Sequence, residues 1–557
     1  MMLTLATATL MAQPKQVTKM ADAAVAVRSY DAKDNLISTT GGVFVSADGT
    51  ALGTWTAFAG AARVEVCDAK GHTYSVESII GANELYDVCR FRCSATSPKY
   101  ATLTKSGVAE GASLWTVVTT AGAKPSLKQY AVKRKESFNG QYDYAVFAYN
   151  DEAGIPGTPF VNENGEVTGL LQRSETSLDV YSVDARFANE LGARPLDISS
   201  QLYQRTGVRL AMPADNKADA QLMLVLAGEL GDSAKYAGYI NDYIRLYPKE
   251  VDGYSASAMR KMALGDFDGA DADMADCMRN ADDKAEAHSE WARVMYNKIL
   301  YSADTLYAGW TLDAALDHAM EACRLNPQAG YTHRAAQILY TKGDYAEALR
   351  HFTSLYEGEM HNAEVFYEAA QCKAALGGQN EEILALLDSA VAVCGQPYTM
   401  SAAPYLLARG QMRGDMGNLR GALADYNVYD SLYSNRADHS FYYLRYKCEV
   451  ALRQYQQALD DIAHAAYVSP EPSLYLAELA SLQLRVNRLE DAVKSSALCL
   501  NFDPENTDAL VIRGVALAML QRKDEAMESF IKARDLGDSR GAEYIDTYDE
   551  KFAKKKK

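Results

Sequence analysis

The stretch whose reading decides the fold is Gly154–Leu171, GIPGTPFVNENGEVTGLL. It opens with a G-x-P-G-x-P-F loop. The polar run Asn162–Gly165 follows, and then a second apolar run, Val167–Leu171. Glycine and proline punctuate the chain at turns, so the stretch reads as a turn-rich loop between strands. Outward from it, Ala23–Tyr30, Gly42–Ser46, Arg63–Cys67, Thr73–Ile80, Cys89–Cys93 and Ser113–Thr119 are short runs rich in Val, Tyr and Thr. Tyr142–Ala148 and Val180–Val183 continue them, with Gly, Asp and Asn in between. Many short strands with regular turn signals predict a sandwich or barrel.

The loop resembles the nucleophile loop of trypsin-like serine proteases of the HtrA/Deg type, roughly G-N-S-G-G-P-V-F-N-x-x-G-E-V-[IV]-G. Gly154, Gly157, Pro159 and Phe160 fall in register, as do Asn162, Gly165, Glu166, Val167 and Gly169. Gly41–Val45 with Asp48-Gly49 resembles the family's opening strand, and Tyr181–Asp184 with Phe187 its closing one. The resemblance implies a double β-barrel over residues 16–195. It also assigns the triad positions. Thr56 stands at the general-base histidine, Asp87 at the orienting acid, and Pro156 at the serine. Threonine takes no proton near neutral pH. Proline has neither a hydroxyl to attack with nor the N–H that the family's oxyanion hole draws from this residue. The resemblance therefore implies a pseudoprotease with no intact catalytic residue. His72, Thr158 and Ser174 are the substitutes on offer, and each reads as structural.

The chain has 557 residues, with 73 acidic against 56 basic and a net charge of −17, which argues against nucleic acid and anionic membrane as partners. Its length calls for more than one domain. No apolar run reaches the roughly 20 residues of a membrane-spanning helix. Leu3–Met11, LTLATATLM, reads as the apolar core of a signal peptide cut after Ala12, with residues 1–15 as leader and lead-in. A basic stretch before it is missing. If the segment is no signal, the protein is cytoplasmic; otherwise it is periplasmic or secreted. The nine cysteines show no CxxC spacing and no HExxH occurs, so no metal site and no cofactor are expected. Cys89 and Cys93 would lie about 13 Å apart along one strand face, too far to bridge.

From Lys217 the pattern turns helical. Ala, Leu, Tyr, Met and Glu recur with a period of about 34 residues, the tetratricopeptide (TPR) period. Leu476, Leu479, Ala480, Ala492 and Cys499 fill one copy; Leu510, Gly514, Leu517, Ala526, Phe530 and Ala533 fill the next. About nine units resembling TPR repeats are expected over 217–540, joined to the first domain by a linker at 196–216. A helix end and a basic tail follow at 541–557. Small residues such as Gly514 let two helices approach, and Phe352 or Phe530 fills the gap.

The fold class expected is thus multidomain, an all-β trypsin-like double barrel followed by an all-α TPR superhelical solenoid. By the same resemblance, the concave face carries His333, Gln337, Tyr340, Tyr367, Gln371, Gln411, Tyr443, Lys447 and Ser481, polar and aromatic residues suited to an extended peptide or partner helix. The function expected is a protein- or peptide-binding scaffold in a bacterial cell envelope. The alternative is a working serine endopeptidase that recruits substrate through its repeats.

Overall fold

Val, Thr and aromatic residues at alternate positions suit a pleated surface with one buried face. Such runs form the strands β1 (Ala24–Tyr30), β2 (Leu36–Phe44), β3 (Thr50–Gly53), β4 (Arg63–Asp68), β5 (Thr73–Asn83) and β6 (Val88–Cys93). Seven more follow: β7 (Ser113–Val118), β8 (Ser126–Ala131), β9 (Arg134–Phe138), β10 (Tyr142–Phe147), β11 (Pro159–Val161), β12 (Val167–Arg173) and β13 (Val180–Asp184). This computed structural model describes residues 14–120, 122–148, 154–174, 179–302 and 307–554, with only the backbone of 549–554. The expected signal segment Leu3–Met11, its cleavage after Ala12 and the last residues of the basic tail lie outside the described residues.

The first six strands close into a barrel in the order β1-β2-β3-β6-β5-β4, all antiparallel, with β4 returning to β1 through pairs such as Val27↔Val66. The other seven form one sheet in the order β8-β7-β11-β12-β13-β10-β9. Where the resemblance implied a second barrel, the sheet ends on β8 and β9. Between barrel and sheet lies a core of Val43, Leu52, Val88, Val161, Val167, Leu170 and Phe187. The helix Lys15–Met20 adds Val17 and Met20 to it. A second core behind the sheet is built on Phe147 and Phe160, whose rings stack 4.4 Å apart.

The chain divides into two units, Met1–Glu290 and Trp291–Lys557. The first unit corrects the expected linker at 196–216. Ile198, Tyr203, Val208, Leu210 and Met212 are buried in the core that fills the barrel. Ile79 N–H donates to Arg209 O (2.8 Å) and Ala211 N–H to Ile79 O (2.7 Å), so the segment adds to the edge of β5 as a bridge. Gly207 N–H donates to Ala61 O (2.7 Å), and Ala82 N–H to the Tyr203 hydroxyl (3.1 Å). The same core continues into the helices Lys217–Glu229 and Ser233–Leu246 through Met223, Leu224, Tyr239, Ile240 and Tyr243. A free linker would leave this apolar surface in water, at about 25 cal/mol for each Å². The helices Val251–Ala263 and Phe267–Asn280 follow in the same unit, which ends at Glu290 within the helix Lys284–Tyr301.

The second unit is all-helical. Among the described residues, Leu312–Leu325 is followed by six antiparallel pairs. These are Ala329–Lys342 with Tyr345–Tyr356, Ala363–Ala375 with Asn380–Val393, and Ala403–Asp415 with Leu419–Leu432. Then come His439–Ala451 with Tyr455–Val468, Ser473–Arg485 with Leu489–Phe502, and Thr507–Met519 with Lys523–Asp535. Starts are capped by side chains: Asn362, Asn418, Asp438 and Asn506 each accept from the amide three residues on. First helices stop at a left-handed residue, Gly343, Gly377, Gly417, Arg453, Asn487 or Gln521. Where two helices of a pair touch, a Cβ on Gly410 would sit 2.5 Å from the Tyr426 ring, and one on Gly514 would overlap Phe530. The helix Ser539–Lys554 covers the end, with Tyr544 and Tyr548 stacked on Phe530 at 5.4 and 5.8 Å.

Candidate functional site

Thr56 lies on the short helical turn Trp55–Ala57 that follows β3. Trp55 and Phe58 on either side are buried in the barrel, which fixes the turn and leaves Thr56 exposed. Asp87 ends the β5–β6 turn with φ +45°. Its Oδ1 accepts two bonds from Thr56, from the amide at 2.7 Å and from the hydroxyl at 2.9 Å. The residue pair read as base and acid positions is thus brought together. A hydroxyl donating to a carboxylate has no acid–base function near neutral pH.

The loop Gly154–Thr158 is pinned to the barrel at Gly41 and to the sheet at Leu171. Gly41 N–H donates to Pro156 O (2.8 Å), Gly157 N–H to Leu171 O (2.8 Å), and Thr158 N–H to Ile155 O (3.0 Å). Two glycines make this approach possible. Gly157 has φ +84° and a Cβ there would overlap Gly41 O; a Cβ on Gly41 would lie 2.5 Å from Thr158 N. The loop connects to the Asp87 turn through β12, where Gln172 Nε2 donates to Tyr86 O. The arrangement orients a carboxylate, with Thr56 on it, and a loop tip that carries Pro156.

The substitutes stand elsewhere. His72 Nδ1 pairs with Asp68 Oδ2 (2.9 Å) in the β4–β5 turn, with most of its side chain in solvent. Thr158 is buried. All nine cysteines are free and seven are buried. Burial raises the Cys89 and Cys93 thiols well above their ordinary range, which keeps them protonated and unreactive.

Among the helical residues singled out from sequence, His333, Gln337, Tyr340 and Gln371 come together. Gln337, Tyr340 and Gln371 line a hollow of about 350 Å³ with Tyr296 and Glu368. Glu368 organises it: Oε2 lies 2.5 Å from His333 Nε2, and Oε1 accepts from Gln337 Nε2 (2.7 Å). Glu364, one turn before Glu368 on Ala363–Ala375, completes a set with His333 whose ligand-type atoms all lie within 4.8 Å of one another. Glu364 and Glu368 escaped the sequence reading. Their i, i+4 spacing was one available signal, and the 35 residues from His333 to Glu368, about one repeat period, was another.

The other positions separate. Tyr367 packs on Tyr405 (5.5 Å). Tyr443 stacks with Tyr446 (5.7 Å), and the Lys447 ammonium lies 5.1 Å from the Tyr443 ring centre. Glu478 holds this second group by accepting from the Tyr446 hydroxyl at 3.0 Å. Gln411 and Ser481 are exposed and join neither group.

No protein-family profile matches the chain, and no curated protein does. Solved structures similar to it include the Rv3671c protease from M. tuberculosis in its active form. That match is 15% identical with TM-score 0.29, covering 32% of this chain and 82% of that one. The inactive form of the same protease is 15% identical with TM-score 0.27, covering 32% of this chain and 91% of that one.

Proposed function

We propose that the chain is a non-catalytic, protein-binding scaffold. Residues 16–195 would be a β domain of trypsin type that has lost its protease chemistry, and residues 217–540 a TPR-type array that carries the partner surface. One observation carries the reading. Pro156 occupies the tip of the pinned loop, so neither a hydroxyl nor an N–H is offered at the place where acyl transfer needs both. Thr56 on Asp87 supports it, since the hydrogen-bonded pair persists without an imidazole. A partner would meet the Tyr443, Lys447 and Glu478 group, whose rings and polar tips suit a wet interface. We place the protein in a bacterial cell envelope on its leader-like first residues.

The rival is a serine endopeptidase with a displaced nucleophile. Thr158 is buried and His72 is held by Asp68, so neither forms a nucleophile–base pair with the other. The experiment is labelling of the full chain with a fluorophosphonate probe, read by intact mass, beside the double variant Thr56→His, Pro156→Ser. No adduct is expected on the natural chain. A stoichiometric adduct on any native hydroxyl would overturn the scaffold reading and make the chain a protease.

A further inference from the structure

We propose that His333, Glu364 and Glu368 form a binding site for a divalent first-row transition ion such as zinc. His333 stands on Ala329–Lys342 and the two glutamates on Ala363–Ala375, the first helices of successive pairs. Three features set this cluster apart from a chance meeting of surface charges.

The donor set is one imidazole nitrogen and two carboxylate oxygens. That mixture suits Zn²⁺, Mn²⁺, Co²⁺ or Fe²⁺, whereas Mg²⁺ and Ca²⁺ favour oxygen alone. Bonds of about 2.1 Å in a tetrahedron put ligand atoms about 3.4 Å apart. The atoms here lie within 4.8 Å of one another, and His333 Nε2 and Glu368 Oε2 are 2.5 Å apart. Closing on an ion therefore takes side-chain shifts of about an ångström and no movement of the helices.

The site is also supported from outside. Gln337 Nε2 donates to Glu368 Oε1, which leaves Oε2 directed at the imidazole. The His333 ring packs edge-on to Phe352 (5.9 Å), and the His333 and Glu368 side chains are only 13% and 16% exposed. Such partners orient metal ligands and raise affinity.

Charge points the same way. Two carboxylates face one imidazole, so the cluster is anionic; a divalent ion with neutral His333 brings it to zero. The ion would take the place of the proton held between His333 Nε2 and Glu368 Oε2. Its remaining position would be filled by water from the adjoining hollow, which Glu368 and Gln337 also line. The proposal is independent of whether the helices take a peptide.

The test is calorimetric titration of the full chain with Zn²⁺ near neutral pH, together with the absorption spectrum of the Co²⁺ form. One equivalent of Zn²⁺ is expected, with affinity lowered about 100-fold or more in His333→Ala and Glu368→Gln. The positioning variant Gln337→Leu should lose about tenfold, and His361→Ala, outside the cluster, nothing. The Co²⁺ form should show visible d–d bands without the near-ultraviolet band of a thiolate ligand. Circular dichroism of each variant separates loss of the site from loss of fold. Absence of a stoichiometric site, an unchanged affinity in folded His333→Ala, or a thiolate band would each overturn the proposal.

Discussion

Asp87 accepts the amide and the hydroxyl of Thr56 on a single oxygen, Oδ1, at 2.7 and 2.9 Å. The bond ties the helical turn after β3 to the β5–β6 turn across 31 residues of sequence. It is a structural contact, so its loss should register in stability. Asp87→Ala removes both bonds and leaves an alanine at φ +45°, for a cost of about 2 kcal/mol. Asp87→Gly removes the bonds and relieves the backbone, so it should cost less than alanine. Asp87→Asn keeps an acceptor and should cost least. Urea denaturation followed by near-ultraviolet circular dichroism gives the order; an alanine variant as stable as the natural chain would contradict it.

Gly157 and Gly41 bring the loop and the barrel into backbone contact. Gly157→Ala places a Cβ at φ +84° against Gly41 O, so the two backbones must part. Overpacking together with left-handed strain predicts a loss of about 2–4 kcal/mol. Gly60→Ala is the control, with φ +79° and open space around the added carbon, and should cost about 1–2 kcal/mol from the backbone alone. Equal losses in the two variants would show that the contact with Gly41 is not tight.

Strand and helix character followed from pattern wherever one face is buried. β1, β4 and β10 alternate or run apolar and were visible as strands. β8, SLKQYA, and β9, RKESF, were not, because they are edge strands rich in charged and polar residues, with Phe138 their one buried side chain and Leu127 and Tyr130 only half-buried. Residues 196–216 misled for another reason. The alternation of Val208, Leu210 and Met212 was there to be read, but the run is short and lies among polar residues. Its partner, the edge of β5, is more than a hundred residues earlier, so nothing local marks the contact. The triad positions implied by the resemblance put Thr56 near Asp87, and the 34-residue period puts His333 and Glu368 on successive first helices without saying that their side chains meet. Residues 35 apart on two helices meet only through the way the pairs stack.

Three of the helix-ending turns hold a side chain where the backbone favours glycine. Arg453, Asn487 and Gln521 have φ of +61°, +61° and +64°, whereas Gly343 and Gly417 fill the same place in other pairs. A left-handed non-glycine residue costs about 1–2 kcal/mol, and asparagine tolerates it best. Gln521→Gly and Arg453→Gly should each stabilise the chain by about 0.5–1 kcal/mol after the greater freedom of glycine in the unfolded state is deducted. Asn487→Gly should gain less. Thermal unfolding of the three single variants checks the order, and a destabilised Gln521→Gly would refute it.

Glu449 makes the stability of the second unit depend on pH. The residue is buried on His439–Ala451, and its Oε2 has no hydrogen-bond partner. Burial, and then the Asp461 carboxylate, push its pKa from 4.5 to about 8, while Arg445, held by Asp461 and Asp430, pulls the other way. The folded chain therefore keeps a proton that the unfolded chain gives up near pH 4.5. A group raised in this way contributes its full stability below its unfolded pKa and loses it as pH rises through the folded one. Stability should thus fall between about pH 5 and pH 8. Glu449→Gln keeps the shape without the titration, so it should flatten that slope and leave the variant more stable than the natural chain at pH 8. Urea melts at pH 5, 6.5 and 8 measure both. The same slope in the two proteins would mean that Glu449 is ionised in the folded state, with Arg445 compensating for its burial.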